Sequence, residues 1–167
     1  MSKGPESNFW NTIRQNLPKK CFATRIENKH GGGVPDVHLV WDGRAFWFEL
    51  KVSKGNSVNL SPHQVAWNMA YWARGGHNFI LVKTLSHKHL FLFEGDQGSR
   101  LIEFGLTDLA PSGVAVGSGV GVVGSGSGLT GSRFNTVQDL FIYLDKYFME
   151  KKRAHDAPRN LVLNYRD

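Results

Sequence analysis

Three polar side chains stand where a hydrolytic metal site could form. Asp36 follows Pro35 directly after a Gly-Gly-Gly turn, and Glu49 and Lys51 lie two residues apart in the run FWFELKV. Two carboxylates brought together supply the hard oxygen ligands that Mg²⁺ prefers, and this ion keeps several waters when it binds beside a phosphate. It then polarises a phosphoryl oxygen and activates bound water, while an adjacent lysine orients that water or stabilises negative charge in the transition state. The residue types therefore predict metal-assisted hydrolysis of a phosphate ester without a covalent nucleophile.

The segment DVHLVWDGRAFWFELKV is predicted to form the β-hairpin that positions these groups. Its Asp42-Gly43 dipeptide tolerates the positive φ angles of a type I′ turn. Alternate strand residues point to opposite faces, so Glu49 and Lys51 share one face. An apolar row is expected on the other face, made of Phe46, Phe48, Leu50 and Val52.

The same pattern also has an ordinary structural explanation. A Glu-Lys pair two residues apart on an exposed strand is a weak ion pair worth about 0 to 1 kcal/mol, and Pro-Asp followed by Glu-x-Lys arises by chance in many proteins. The strong apolar alternation around Glu49 and Lys51 favours the functional interpretation. Charge placed deep in a sheet is costly and needs a reason.

The order of periodic segments predicts a mixed α/β layer. In chain order these are a helix over 6–17, a strand over 21–27, the hairpin, a helix that begins at Ser61-Pro62 and ends at Gly75-Gly76, strands over 78–84 and 89–95, and an amphipathic helix over 136–152. On the helix after Pro62, the spacing of Trp67, Tyr71 and Trp72 favours core packing over stacking on bases.

A glycine-rich segment divides the chain by composition. Residues 111–133 are mostly glycine, serine and valine with almost no charge, which favours a flexible loop. The valines leave open a glycine-rich hairpin packed on a neighbour or a partner. We therefore expect a core over 1–110, a flexible segment over 111–133, and a C-terminal amphipathic helix with its tail over 134–167.

Composition narrows the class of protein. The chain has 167 residues, 41% of them hydrophobic, which fits one globular domain. Its formal net charge of +6 favours a polyanionic partner, with nucleic acid first. The single cysteine excludes a disulfide framework and a Cys-cluster zinc site. Without a signal peptide or an 18-residue apolar run, we expect a cytoplasmic protein with no membrane partner.

Three motifs in order, GVPD at 33–36, FELK at 48–51 and SPHQ at 61–64, resemble the PD-(D/E)XK nuclease superfamily. Within it the chain is most similar to the virus-type replication-repair nuclease domain, often phage-encoded, and to archaeal-type Holliday junction resolvases. The likeness covers roughly residues 6–93. It implies a restriction-endonuclease-like mixed β-sheet flanked by helices, and a Mg²⁺-dependent DNA endonuclease selective for branched or junction DNA in replication, recombination or repair.

The resemblance also implies roles for individual residues. Asp36 and Glu49 would bind Mg²⁺, which Mn²⁺ could replace, with the backbone carbonyl of Leu50 as a further ligand and Lys51 as the catalytic lysine. A glutamate near the start of the first helix is implied as well. Glu6 fits by position and is favoured, and Glu27 is its competitor.

Gln64 has two interpretations that do not exclude each other. The resemblance places the glutamine of this motif at the active site. The spacing Ser61-x-x-Gln64 is also that of a capping box, in which the third helical side chain returns to the backbone of the N-cap residue.

Basic residues are expected to hold DNA phosphates, which position a substrate without reading its sequence. The candidates are Lys19, Lys20, Lys29, His30, Arg44 and Lys54. Two alternatives to a structure-selective nuclease stay open: a restriction-like or nicking endonuclease on plain duplex, and a catalytically silent DNA-binding module. Paired cuts at a junction would need a homodimer, and the apolar surface of the helix over 136–150 could form one or could fold back on its own sheet.

Overall fold

The computed structural model describes residues 4–26, 32–86, 88–106, 110–115, 120–124 and 129–156, with the backbone alone over 110–115, 120–124 and 154–156. The helices are α1 (Pro5–Gln15), α2 (Pro62–Trp72), α3 (Gly98–Phe104) and α4 (Val137–Asp156), and a 3₁₀ turn, Gly95–Gln97, precedes α3. The strands are β1 (Phe22–Arg25), β2 (Val37–Trp41), β3 (Arg44–Ser53), β4 (His77–Thr84), β5 (Leu90–Glu94), β6 (Ala110–Ala115), β7 (Val120–Gly124) and β8 (Thr130–Phe134).

These strands pair into a mixed sheet in the order β1-β2-β3-β4-β5-β8-β7-β6. β3 and β4 run parallel and are connected through α2, while the other neighbouring pairs are antiparallel. α1 and α4 contribute to the core on one face, and α2 and α3 to the core on the other. The predicted α/β class is therefore confirmed, and a mixed sheet between helices is consistent with the restriction-endonuclease-like architecture.

The hairpin predicted at Asp42-Gly43 is confirmed. Both turn residues have positive φ, 51° for Asp42 and 73° for Gly43, and β2 pairs antiparallel with β3 on either side of them. The predicted alternation of β3 is confirmed too, because Phe46, Phe48 and Leu50 are buried in the core shared with α1 and α4. Glu49 and Lys51 must therefore face α2.

The glycine-rich segment forms strands. Composition favours a flexible loop over 111–133, but the described residues form three strands that extend the sheet. This is closer to the glycine-rich hairpin that the valines leave open. β8 pairs with β5 through Leu90↔Phe134 and Leu92↔Ser132, and β7 and β6 follow in turn. The free edge of β5 offers backbone hydrogen bonds to β8 whatever the side chains are, and composition does not predict such pairing.

The final helix folds back on its own sheet. Phe141, Leu144 and Phe148 of α4 are buried in the same core as β3, and Tyr143 and Tyr147 pack against it. Ile142, 56% exposed, stays on the outer side. Most of the apolar surface that could have formed a dimer is thus used within the chain.

Among the described residues, no helix combines the length and the apolar character needed to span a membrane.

Candidate active site

Asp36 occupies the place that a longer β2 would fill beside β3. β2 begins at Val37, which pairs with Phe48. Beyond that point β4 still lies along one edge of β3, but in the described part of the chain no strand covers the other edge. The Oδ2 atom of Asp36 instead accepts the backbone N–H of Leu50 at 2.8 Å. The carbonyl of Asp36 accepts the N–H of Ile26 at 2.7 Å. The end of one strand therefore fixes a carboxylate against the open edge of the next.

The backbone of Leu50 also exposes a carbonyl at this position. The N–H and C=O of one residue in an extended strand point to the same edge. Since the N–H of Leu50 points to Asp36, its carbonyl faces the same gap. The strand geometry thus directs a backbone oxygen toward the gap beside Asp36. The role of this oxygen as a metal ligand stays a prediction.

Glu49 is the fully buried charge of the site, with 0% of its surface exposed. Its Oε1 atom lies 3.1 Å from the ammonium of Lys51 and accepts a hydrogen bond from Nε2 of Gln64. Its Oε2 atom is buried and has no hydrogen-bond partner among the described residues. Oε1 therefore has two partners, and Oε2 is available for a further ligand.

Burial makes both carboxylates harder to ionise, and Asp36 adds to this effect at Glu49. Burial, followed by the negative charge of Asp36, raises the pKa of Glu49 to about 7, although Lys51 opposes the shift. Burial also raises the pKa of Asp36, against the lowering effects of the Leu50 N–H, Lys51 and Arg25. A positive ion between these groups would favour both charged forms.

These donors fit a hard divalent cation. The orphaned Oε2 of Glu49 requires a partner, Asp36 stands beside it, and the Leu50 carbonyl faces the same gap. In the described part of the chain no three His, Cys, Asp or Glu side chains cluster as metal ligands. The oxygens brought together here belong to two carboxylates and one backbone carbonyl. Mg²⁺ accepts such a set because it retains waters and binds substrate phosphate.

Glu6 lies close enough to Glu49 to affect its pKa but, unlike Glu49, it is not buried. It is exposed in the first turn of α1, and its charge contributes a small upward shift to the pKa of Glu49. Its role as a metal ligand stays a prediction. Its competitor Glu27 lies outside the described residues.

Gln64 forms the predicted capping box and also contacts Glu49. Its Oε1 atom accepts the backbone N–H of Ser61 at 2.9 Å, and the Ser61 hydroxyl accepts the N–H of Gln64 at 3.2 Å, which completes the capping box. Its Nε2 atom donates to Glu49. A single amide therefore ties the N-terminus of α2 to the buried carboxylate.

The glycine turn before Asp36 packs directly on the first turn of α2. Gly33 has φ +93°, and a Cβ at this position would lie 2.2 Å from the backbone oxygen of His63. Only glycine meets both conditions. The turn thus sets the distance between the strand that carries Asp36 and the helix that carries Gln64.

Arg25 is a site residue that the sequence interpretation missed. It pairs with Val37 at the end of β1, its guanidinium donates to the Ser7 hydroxyl at 3.2 Å, and its charge lowers the pKa of Asp36. It lines a cavity of about 220 Å³ with Glu6 and Ser7. The available signal was its place on the more buried side of a short alternating strand, one residue before the loop that leads to Asp36.

The predicted DNA-binding residues do not gather in one place. Lys54 is exposed three residues beyond Lys51, at the site end of β3. Arg44 lies at the hairpin end, within 3.5 Å of Asp42 and 3.4 Å of Asp145.

The other predicted DNA-binding residues do not lie beside the site either, as far as the structure describes them. Lys19 and Lys20 are exposed just before β1, whose first residue, Phe22, pairs with Val40 near the hairpin turn. They therefore lie at the far end with Arg44. Lys29 and His30 lie outside the described residues.

Comparison with known proteins finds likeness among solved structures. No family model matches the chain, and no curated protein is similar enough to count as a match. A Holliday junction resolvase from the archaeal hyperthermophile Archaeoglobus fulgidus, solved at 1.6 Å resolution, aligns with a TM-score of 0.39 and 15% identity, over 55% of this chain and 71% of that one. A likeness of this size does not establish an activity, and the geometry of Asp36, Glu49 and Lys51 stands independently of it.

Proposed function

We propose that this chain is a metal-dependent nuclease that hydrolyses phosphodiester bonds in DNA through a PD-(D/E)XK-type centre. The observation that carries the proposal is the environment of Glu49. This side chain is fully buried, one oxygen is held by Lys51 and Gln64, and the other has no partner among the described residues although Asp36 stands close enough to raise its pKa. A purely structural ion pair has no need of the second carboxylate or of the unpartnered oxygen.

The residues divide the work of phosphodiester hydrolysis. Asp36, Glu49 and the Leu50 carbonyl would hold Mg²⁺, or Mn²⁺ in its place. When bound, the ion supplies Lewis acidity and lowers the pKa of a bound water. Lys51, held 3.1 Å from Glu49, orients the water or neutralises charge that grows on the phosphoryl oxygens. Gln64 holds the Glu49 carboxylate in one orientation through its Nε2 hydrogen bond.

DNA is the substrate that charge and motifs favour. The net charge of +6 attracts a polyanion, and Arg25 and Lys54 lie at the site end of the sheet. The order of GVPD, FELK and SPHQ, similar to virus-type replication-repair nucleases and archaeal-type resolvases, supports branched or junction DNA. Paired cuts across a junction would require a homodimer, since two centres must be related by a two-fold axis.

A substrate panel tests this proposal. The full chain is incubated with supercoiled plasmid, linear duplex, a flap and a four-way junction, each with Mg²⁺, Mn²⁺, Ca²⁺ or EDTA, beside Asp36→Asn as the matched control. We expect cleavage in Mg²⁺ and Mn²⁺, fastest on branched DNA, and binding without turnover in Ca²⁺. Equal cleavage by Asp36→Asn would refute the assigned centre.

The alternatives predict other patterns in the same panel. Fastest cleavage of plain duplex would favour a restriction-like or nicking endonuclease. DNA binding without cleavage in any metal would favour a catalytically silent module.

A further inference from the structure

A row of aromatic rings lies beside the candidate active site and belongs to neither hydrophobic core. It runs from His38 on β2 through Trp47 on β3 to Trp67 and Tyr71 on α2. The ring centroids are 4.7 Å apart for His38 and Trp47, and 5.7 Å apart for Trp47 and Trp67. Trp67 and Tyr71 stack at 4.9 Å with an angle of 13° between their planes. We refer to these four side chains as the aromatic row.

The aromatic row begins where the catalytic groups meet. Trp47 lies two residues before Glu49 on the same face of β3, and Trp67 follows Gln64 by one turn of α2. Glu49 and Gln64 are hydrogen-bonded to each other, so the two branches of the row converge on that contact. A strand bound along the row would pass the candidate metal site.

Core packing does not account for the row. The buried residue of α2 is Asn68, whose amide oxygen accepts a hydrogen bond from the buried Asn78 of β4 at 2.7 Å. α2 is thus anchored on the sheet by a polar contact. The expectation that Trp67 and Tyr71 pack in the core is wrong, since both are only partly buried and lie outside the two cores. Trp72, by contrast, contacts the buried Phe79.

The charge around the row suits a polyanion. The sequence of α2, PHQVAWNMAYW, contains no acidic residue, and the exposed Arg74 follows its last turn. A partly exposed aromatic surface whose helix carries no carboxylate suits the stacking of nucleic-acid bases.

We propose that the aromatic row stacks on unpaired bases of a DNA strand next to the scissile phosphate. This rests on the proposed nuclease function and names its substrate class: DNA that carries a single-stranded stretch at a flap, gap or branch. Every base has a π face, so stacking accepts any sequence. Paired bases within a duplex are already stacked on each other, and the row would therefore select against plain duplex.

Binding without cleavage tests this proposal separately from the nuclease assignment. Asp36→Asn protein in EDTA is titrated into fluorescein-labelled dT12 and into a 12-base-pair duplex, and anisotropy gives both values of Kd. We expect tighter binding of the single strand. Adding Trp67→Leu should weaken that binding about tenfold and change duplex binding less than twofold, whereas Tyr71→Phe, which keeps the ring, should preserve both. Ile142→Ala, exposed on the opposite face, is the matched control.

Crosslinking keeps the proposal testable if Trp67→Leu lowers the melting temperature. An oligonucleotide with 5-iododeoxyuridine is irradiated with the unsubstituted chain, and the adduct is located by mass spectrometry. Adducts on Trp47, Trp67 or Tyr71 support the proposal, and adducts confined to other residues overturn it.

The remaining outcomes separate the two proposals. Unchanged single-strand affinity in folded Trp67→Leu overturns base stacking, whether or not the chain cuts DNA. So does a dimer, seen by light scattering, that Trp67→Leu dissociates without a change in single-strand affinity, because the row would then be covered by a second copy. Lost single-strand affinity in a chain that cleaves no substrate would support stacking and refute the nuclease.

Discussion

The two faces of β3 bury opposite kinds of side chain. Toward α1 and α4, Phe46, Phe48 and Leu50 pack into a continuous apolar core. Toward α2, the same strand buries Glu49 and holds Lys51 with 14% of its side chain exposed. Packing satisfies the first face completely, but the second leaves a buried carboxylate oxygen without a partner among the described residues. Natural proteins accept such a loss of stability mainly at functional sites, and this is the face on which we propose the chemistry.

The largest expected effect is the loss of cleavage when residues of the polar site are substituted. Asp36→Asn, Glu49→Gln and Lys51→Met keep the shape of each side chain and remove one charge. Each should reduce cleavage about a thousandfold. Asp36→Asn and Glu49→Gln each remove a ligand of the metal ion, and Lys51→Met removes the ammonium group that stabilises the transition state. Single-turnover assays in Mg²⁺ measure the rate, and circular dichroism with binding in Ca²⁺ checks fold and affinity. Wild-type rates in any of the three would exclude that residue from the mechanism.

The apolar face should respond in stability instead of rate. Phe48→Ala removes a fully buried ring and should lower the free energy of unfolding by about 3 to 5 kcal/mol. Phe22→Ala, at a position 61% exposed, should change it by less than about 0.5 kcal/mol. Urea denaturation measures both. Equal stabilities for the two variants would show that the core is placed incorrectly.

The buried carboxylate should make the metal-free protein less stable at higher pH. The pKa of Glu49 rises from 4.5 to about 7 on folding, so between these values the unfolded state binds fewer protons than the folded state. The free energy of unfolding therefore falls as pH rises through this window, by up to about 3 kcal/mol. Melting curves from pH 5 to pH 8 in EDTA should show this decline.

Two controls isolate Glu49 from other titrating groups. Glu49→Gln should flatten the decline, and Mg²⁺ should raise the melting temperature more at pH 8 than at pH 5. If Glu49→Gln retains the wild-type pH dependence, this carboxylate does not cause it.

The smallest expected effect lies at the contact between the polar face and α2. Gln64→Glu keeps an oxygen for the Ser61 N–H but replaces the donor to Glu49 with a negative charge. Cleavage should fall about tenfold or more, with a melting temperature in Mg²⁺ close to that of the wild type. Ser61→Ala should do the reverse and cost about 1 kcal/mol of stability through the lost cap. Unchanged cleavage in Gln64→Glu would leave the glutamine with a capping role alone.

Local interactions made much of this molecule predictable from its sequence. The positive φ angles of Asp42 and Gly43, the alternation along β3 and the Ser61 capping box each depend on residues within a few positions of one another. Propensity and periodicity describe such interactions well. The motif residues Asp36, Glu49 and Lys51 followed from the same local order.

Other features depend on contacts between distant segments. Arg25 reaches the neighbourhood of Asp36 because β1 pairs with β2 in one register, and Arg44 is drawn away from it because β3 carries the residue to the hairpin end beside Asp145. The strands over 110–134 extend the sheet because β8 pairs with the free edge of β5. No local pattern contains these pairings.

Side-chain alternation and turn conformation are properties of a short stretch of backbone, so the order of residues was enough to predict which side chains could do chemistry and that Glu49 and Lys51 share one face of β3. What surrounds these side chains depends on the folded chain. Gln64 contacts Glu49, Oε2 of Glu49 has no partner among the described residues, and the partly exposed aromatic row lies between β3 and α2. Burial and pKa are set by every element that packs around a group, and those elements come from separate parts of the chain.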